Sequence, residues 1–287
     1  MVEFCLHPGY QPSIKFLVQL MVCFGLVGLA ITAVSGHGLL DEQIEDATRR
    51  LAEKPGDQGI ILERAELYWL HGDYGKARVD LGVLMGTKEP PARVFYVLAL
   101  VNRDEGDLKK ALEAMSDYLA ANKDDGPAYR EAAGLSAKLG DDARAVSFWE
   151  KFLATMKAET VSATDYGEAG NSMLKVGRVL EAEILAESGK KQYPHSIVLC
   201  QLRARCFLQQ NDVQSAKAEF QNLRDRYENL IPRLSLQEGL IFREFKKVHE
   251  SRLAWQRGVV AIEELRGKGR LKAGMLELEQ ELQKELR

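Results

Sequence analysis

Residues 95–115 read FYVLALVNRDEGDLKKALEAM, and the spacing inside this stretch decides the fold. Gly106-Asp107 sits at its centre, a small residue (Ala99) stands seven positions before the glycine, another (Ala111) five after it, and a large one (Met115) four further on. The same arrangement recurs around Gly72-Asp73, Gly140-Asp141, Gly177-Arg178 and Asn211-Asp212. Successive copies are 34, 34, 37 and 34 residues apart. The small residue before the turn is Ala65, Ala99, Ala133, Gly170 and Ala204; the one after it is Ala77, Ala111, Ala145, Ala182 and Ala216. Three columns in step over five copies define an internal repeat, the first thing to establish about a chain of this length.

Each copy has the chemistry of a helical hairpin. Apolar residues follow helical spacing on both sides of the turn, as in Phe95, Leu98 and Ala99 and then Leu108, Ala111, Leu112 and Met115. Glycine or asparagine ends the first helix because either adopts the left-handed conformation cheaply. The aspartate that follows suits the amino terminus of the second helix, where it can accept free amide hydrogens. The small columns let two helices cross closely, and Leu81, Met115, Trp149 and Phe220 fill the next layer. One such hairpin cannot bury its apolar face alone, so the copies must stack.

At these residues the chain resembles the tetratricopeptide repeat family, whose pattern runs bulky, small, aromatic on the first helix and alanine then aromatic on the second. The first copy supplies Ile61, Ala65, Tyr68, Ala77 and Leu81; the second Phe95, Leu98, Ala99 and Ala111; the third Tyr129, Ala133, Ala145 and Trp149. The fourth supplies Tyr166, Gly170, Ala182 and Pro194, and the fifth Ala204, Phe207, Ala216 and Phe220. Arg64 and Arg203 stand where leucine is usual, and Ala186 where an aromatic is usual. The resemblance implies an all-α fold, an α-solenoid in which the hairpins form a right-handed superhelix.

The copies occupy 58–91, 92–125, 126–159, 163–196 and 197–230, with a three-residue insertion at Thr160–Ser162. A worn sixth copy over 231–266 keeps Gly239, Phe242, Ser251 and Trp255. Residues 38–57 read as an amino-terminal capping helix, with Leu40, Ile44, Ala47 and Leu51 on one face. Residues 270–287 read as a carboxy-terminal cap with the stripe Leu271, Met275, Leu278, Leu282 and Leu286. A second chain is the alternative partner for that stripe, which would make a homo-oligomer through the terminal helix.

Residues 1–36 read as a signal or anchor. Residues 16–34, FLVQLMVCFGLVGLAITAV, carry Gln19 as the one strongly polar member. As a helix they would rise about 28 Å, close to a hydrocarbon core of about 30 Å. Lys15 precedes the run and Asp41, Glu42, Glu45 and Asp46 follow it, which orients the body to the outside. The chain is therefore expected to be exported. It either stays anchored in the membrane through 16–34, or is cleaved near Ser35 or Gly36 and released, into the periplasm if the source is bacterial.

Composition narrows function further. Lys plus Arg (39) nearly balance Asp plus Glu (42), which disfavours a nucleic-acid binder. Four cysteines do not make a disulfide scaffold; Cys200 and Cys206, six apart on one helix and so about 240° round its axis, cannot bridge each other and read as buried free thiols, with an intermolecular bridge as the alternative. Phosphate-binding, zinc-protease and nucleophile-elbow motifs are absent, so no catalytic residue, metal ligand or cofactor is expected. What remains is a non-enzymatic scaffold or adaptor that binds a protein or peptide. An envelope assembly factor holding a client, of cytochrome or outer-membrane type, and a self-associating structural protein are the alternatives.

The family resemblance implies that the first helices line a concave groove. Carried over residue by residue, the groove comprises Trp69, Tyr96, Leu100, Arg103, Arg130, Lys138, Asn171, Lys175, Gln201 and Arg205. Its first part is apolar and aromatic and the rest is basic, which predicts a peptide with a hydrophobic anchor and acidic groups.

Overall fold

The computed structural model describes residues 38–272 and 274–287. The apolar run 16–34 lies outside the described residues. Fourteen α-helices and no strands occur among the described residues. They are α1 (38–53), α2 (Gln58–His71), α3 (Tyr74–Met85), α4 (Arg93–Asp104), α5 (Leu108–Ala121), α6 (Gly126–Lys138), α7 (Asp142–Thr155), α8 (Ala163–Lys175), α9 (Val179–Gln192), α10 (Ile197–Gln209), α11 (Val213–Arg226), α12 (Ile231–Glu244), α13 (Val248–Gly267) and α14 (Gly274–Leu286). Contacts divide the chain into one unit ending at Ala121 and a second, Asn122–Arg287, so the division falls at the end of α5, within the last residues of the second copy.

The turns follow from backbone chemistry. Gly106 closes α4 at φ +86°, where any side chain would be strained, and its counterparts Gly72, Gly140 and Gly177 take the same conformation. Asn211 (φ 63°) substitutes in the fifth copy and Lys246 (φ 58°) in the sixth. Asp107, Asp141 and Asp212 accept the amide three residues on, as helix caps do. Asp73 departs from that expectation: its carboxylate takes Lys76 Nζ at 2.8 Å instead. A short 3-10 turn, Ala158–Thr160, leads into the insertion, whose last residue, Ser162, caps α8 reciprocally with Asp165.

In the first unit, α2, α3 and α4 enclose Ile61, Ala65, Ala77, Leu81, Leu84 and Val101. In the second, Met173, Leu174, Ala182, Ala186, Leu202 and Cys206 form one core layer, and Ala204, Ala216, Phe220, Ile241 and Phe242 the next. Small residues mark the crossings. A Cβ on Gly170 would stand 2.3 Å from Leu202, and one on Gly239 only 2.1 Å from the Trp255 ring.

The two arginines that break the repeat pattern are explained by a second column. Arg64 donates to both oxygens of buried Asp80, at 2.7 and 2.8 Å. Arg203 reaches buried Glu219 at 2.8 Å, which Lys190 also meets at 2.7 Å. Asp80 and Glu219 each stand three residues beyond the second small column. In the second to fourth copies the same two positions hold Leu98 with Ala114, Ala132 with Phe148, and Ala169 with Leu185. The first and fifth copies thus replace an apolar pair by an ion pair; in the first both Asp80 oxygens accept from Arg64, the condition for burying charge without a large penalty, whereas in the fifth the buried Arg203 Nε is left without a hydrogen-bond partner among the described residues.

The carboxy-terminal stripe is spent within the chain. Leu282 is fully buried, and Leu271, Leu278 and Leu286 pack with it against Trp255 and Ile262 of α13. Much of the stripe that would drive pairing with a second chain is thus turned onto α13.

Candidate interaction surface

In the first unit Trp69 and Arg103 converge on one carboxylate. The Trp69 Nε1–H donates to Asp104 Oδ2 at 2.8 Å, and Arg103 Nε donates to Asp104 Oδ1 at 2.7 Å. Tyr96 sits edge-on to Tyr118, with ring centroids 5.1 Å apart, under the Arg93 guanidinium at 4.3 Å. Leu100 departs from the sequence expectation. It is buried, so it is core and cannot meet a ligand. The aromatic anchor site is therefore already furnished with its own hydrogen bonds.

The second unit holds the larger concavity. A cleft of about 660 Å³ lies at the carboxy-terminal ends of α8, α10 and α12. Leu174, Leu208 and Phe245 supply its apolar lining, and Asn171, Lys175, Arg205, Gln209 and Glu244 its polar groups. Three of the residues expected from the sequence, Asn171, Lys175 and Arg205, are brought together here. A smaller cleft of about 370 Å³ between α6 and α8 takes Arg130 and Lys138, facing Asp165 and Glu168. Glu168, Asn171 and Lys175 follow one another along α8 at helical spacing and link the two. Gln201 is outside both clefts, its amide donating to Gln237 at 2.6 Å.

The expected basic bias does not survive folding. Arg130 stands 3.7 Å from Asp165, Lys175 lies 3.0 Å from Asp142, and Arg205 lies 3.3 Å from Glu244. Burial, with the neighbouring Asp165 charge, holds the Glu168 carboxyl above the usual carboxylate range, against the pull of Lys138 and Arg130. The Lys138, Glu168 and Asn171 side chains make no hydrogen bond or ion pair among the described residues. The surface is thus mixed in charge, with one cation, one carboxylate and one amide free to meet a partner.

Two of the missed carboxylates had a readable signal. Asp104 and Glu244 occupy the same repeat column as Lys138 and Lys175, five beyond the first small residue. Asp142 and Asp165 come from other columns and carried no such mark.

The thiols are structural. Cys200 and Cys206 are buried, and Cys200 Sγ lies 2.9 Å from the Glu219 carbonyl. Burial pushes the Cys206 thiol up to about 12 and the Cys200 thiol higher still. The expected reading as buried free thiols holds, and the alternative of an intermolecular bridge falls, since neither sulfur reaches the surface. Among the described residues no cluster of three or more His, Cys, Asp or Glu is placed to hold a metal ion, and no helix is long and apolar enough to cross a membrane.

No protein-family model and no curated protein matches the chain. Solved structures do. The C-terminal part of a TPR repeat-containing protein from Cytophaga hutchinsonii is 15% identical and superposes with a TM-score of 0.60, covering 81% of this chain and 94% of its own. A tetratricopeptide repeat protein from Parabacteroides merdae is 16% identical, with a TM-score of 0.53 over 90% of this chain and 98% of its own. MamA is 16% identical, with a TM-score of 0.52 over 60% and 92%. At such identities the likeness is one of fold: the chain has the all-α architecture of tetratricopeptide repeat proteins.

Proposed function

We propose, from the fold shared with those repeat structures, that this chain is a non-enzymatic protein-interaction scaffold whose second unit holds a peptide segment along α8, α10 and α12. The observation that carries this reading is the 660 Å³ cleft that gathers Asn171, Lys175 and Arg205 over an apolar floor. Leu174, Leu208 and Phe245 suit one apolar side chain, and the Asn171 amide can pair with a peptide main chain. Because Arg205 is matched by Glu244, and Arg130 by Asp165, the fitting segment carries both an acid and a base rather than acids alone.

The body belongs outside the cytoplasmic membrane in this reading, exported and tethered through residues 16–34. The support is the 19-residue apolar run with Lys15 before it and four acids soon after. A phosphatase that works only outside the cytoplasm, fused after Arg287, tests this: an inactive fusion rejects export.

Binding is tested by placing a photo-crosslinking residue at Asn171 and, as a control, at Leu180 on the outward face of α9. Crosslinks to a partner are expected from position 171 alone, and are lost when Lys175→Glu and Arg205→Glu are combined. Equal crosslinking from both positions, or crosslinks indifferent to the double reversal, removes the cleft from the function.

A further inference from the structure

The outer side of α2 is built unlike its counterparts in later copies. Two residues beyond the first small column stands Leu67, and that column continues as Val101, Leu135, Ser172, Cys206 and Ile241, all buried. A preceding first helix covers several of them. Val101 clusters with Ile61 and Ala65 of α2, Cys206 with Met173 and Leu174 of α8, and Ile241 with Ala204 and Leu208 of α10. Leu67 has no such helix before it among the described residues and is only half-buried.

A second column points the same way. Five beyond the small residue the copies read Leu70, Asp104, Lys138, Lys175, Gln209 and Glu244. The position is polar in every later copy and leucine only here, where Leu70 is 57% exposed. Terminal repeats of such arrays normally turn a polar face outward. The carboxy-terminal helix largely follows that rule, exposing Glu277, Gln280, Glu281, Gln283 and Lys284 with Leu276 among them. The α2 end breaks it.

Helix α1 does not fill the gap. It runs antiparallel to α2, with Asp41 3.2 Å from His71 at one end and Arg50 on Glu63 at the other, and so takes the place of a second helix rather than a first. Between α1 and α2 opens a groove of about 340 Å³ lined by Leu39, Glu42, Gln43, Asp46, Glu63 and Leu67. Leu39 is 58% exposed. Among the described residues the lining carries three carboxylates and no cation; Asp46 pairs with Arg49 and Arg50, Glu63 pairs with Arg50, and Glu42 makes no ion pair.

We propose that this groove is a second interaction surface, one that receives a helix from another protein in the place a preceding first helix would take. The fitting helix is amphipathic and cationic. Its apolar stripe meets Leu39, Leu67 and Leu70, where burial supplies the drive, and a lysine or arginine beside the stripe meets Glu42, the lining carboxylate without an ion pair, which orients it.

The test uses the full chain and two labelled 14-residue helical peptides with the same leucine stripe, one flanked by lysines and one by glutamates. Anisotropy is expected to show the lysine peptide binding at least tenfold more tightly than its twin. Glu42→Lys and Leu67→Asp should each weaken it tenfold or more, with the helical circular dichroism retained. The Lys175→Glu, Arg205→Glu pair should leave it unchanged, which separates this surface from the α8–α12 cleft. Equal binding of both peptides, or indifference to Glu42→Lys, overturns the proposal. So does a full chain that binds neither peptide; crosslinking from position 70 then shows whether residues 1–37 or a second copy holds the groove instead.

Discussion

Gly239→Ala adds a single methyl group to α12 and should lower stability, although alanine is the better helix former. The new Cβ would lie 2.1 Å from Trp255 Nε1, 2.4 Å from Cδ1 and 2.6 Å from Cε2. The indole cannot simply swing away. It is buried, its N–H points at the Leu236 carbonyl at 3.3 Å, and Ile262 and Leu282 share its cluster. Overpacking of a rigid ring costs about 1–3 kcal/mol. Loss of the indole hydrogen bond adds about 1 kcal/mol, and the helix propensity of alanine over glycine returns about 1 kcal/mol. The net expectation is a loss of roughly 1–3 kcal/mol, or about 2–12 °C in Tm for a unit of this size. Gly134→Ala in α6 of the same unit is the control. Nothing lies within 4 Å of its Cβ, so the entropic gain of about 0.4–1 kcal/mol should appear unopposed. Urea unfolding followed by circular dichroism and tryptophan fluorescence measures both. If Gly239→Ala matches or exceeds the natural chain in stability, close packing is not why glycine stands in the small column, and the reasoning fails.

Asp80→Ala strands the Arg64 guanidinium and should cost roughly 2–4 kcal/mol, whereas Arg64→Leu combined with Asp80→Ala recreates the Leu98–Ala114 pair of the second copy and should recover most of that loss; a double variant no better than Asp80→Ala in denaturant titration contradicts the column assignment. Cys200 and Cys206 should resist iodoacetamide at pH 8–9 until denaturant is added. Since burial raises the folded Cys206 thiol to about 12, above its unfolded value, its contribution to stability is complete below about pH 8 and is lost as pH rises toward 12, so alkaline unfolding should accompany labelling in mass-spectrometric counts. Leu282→Ala empties a buried site against Gly258 and should cost about 2–4 kcal/mol; sedimentation at several concentrations should find the natural chain unpaired through α14, and an association abolished by Leu282→Ala would reverse that assignment.

Much of this protein was legible before folding because its determinants are local. A left-handed glycine at Gly106, a cap at Asp107 and small residues at Ala99 and Ala111 act within one hairpin, and a period repeated along the chain shows them together. The interaction surface was legible only in part. A column identifies which residues share a helix face, and Asn171, Lys175 and Arg205, taken from such columns, line one cleft. It says nothing about which charges from other helices will meet them. Asp142 and Glu244 reach those cations from neighbouring helices, and Leu100 is buried by its own hairpin's packing.

Sequence alone thus pointed to helical hairpins and their turns, since backbone conformation and helical periodicity are set within a few residues of one another. Tertiary structure decided the electrostatics of the inner face, the use of the α14 stripe as a cap and the open end beside α2. Each of these depends on which helix lies next to which, and burial and charge pairing arise only when helices distant in sequence meet.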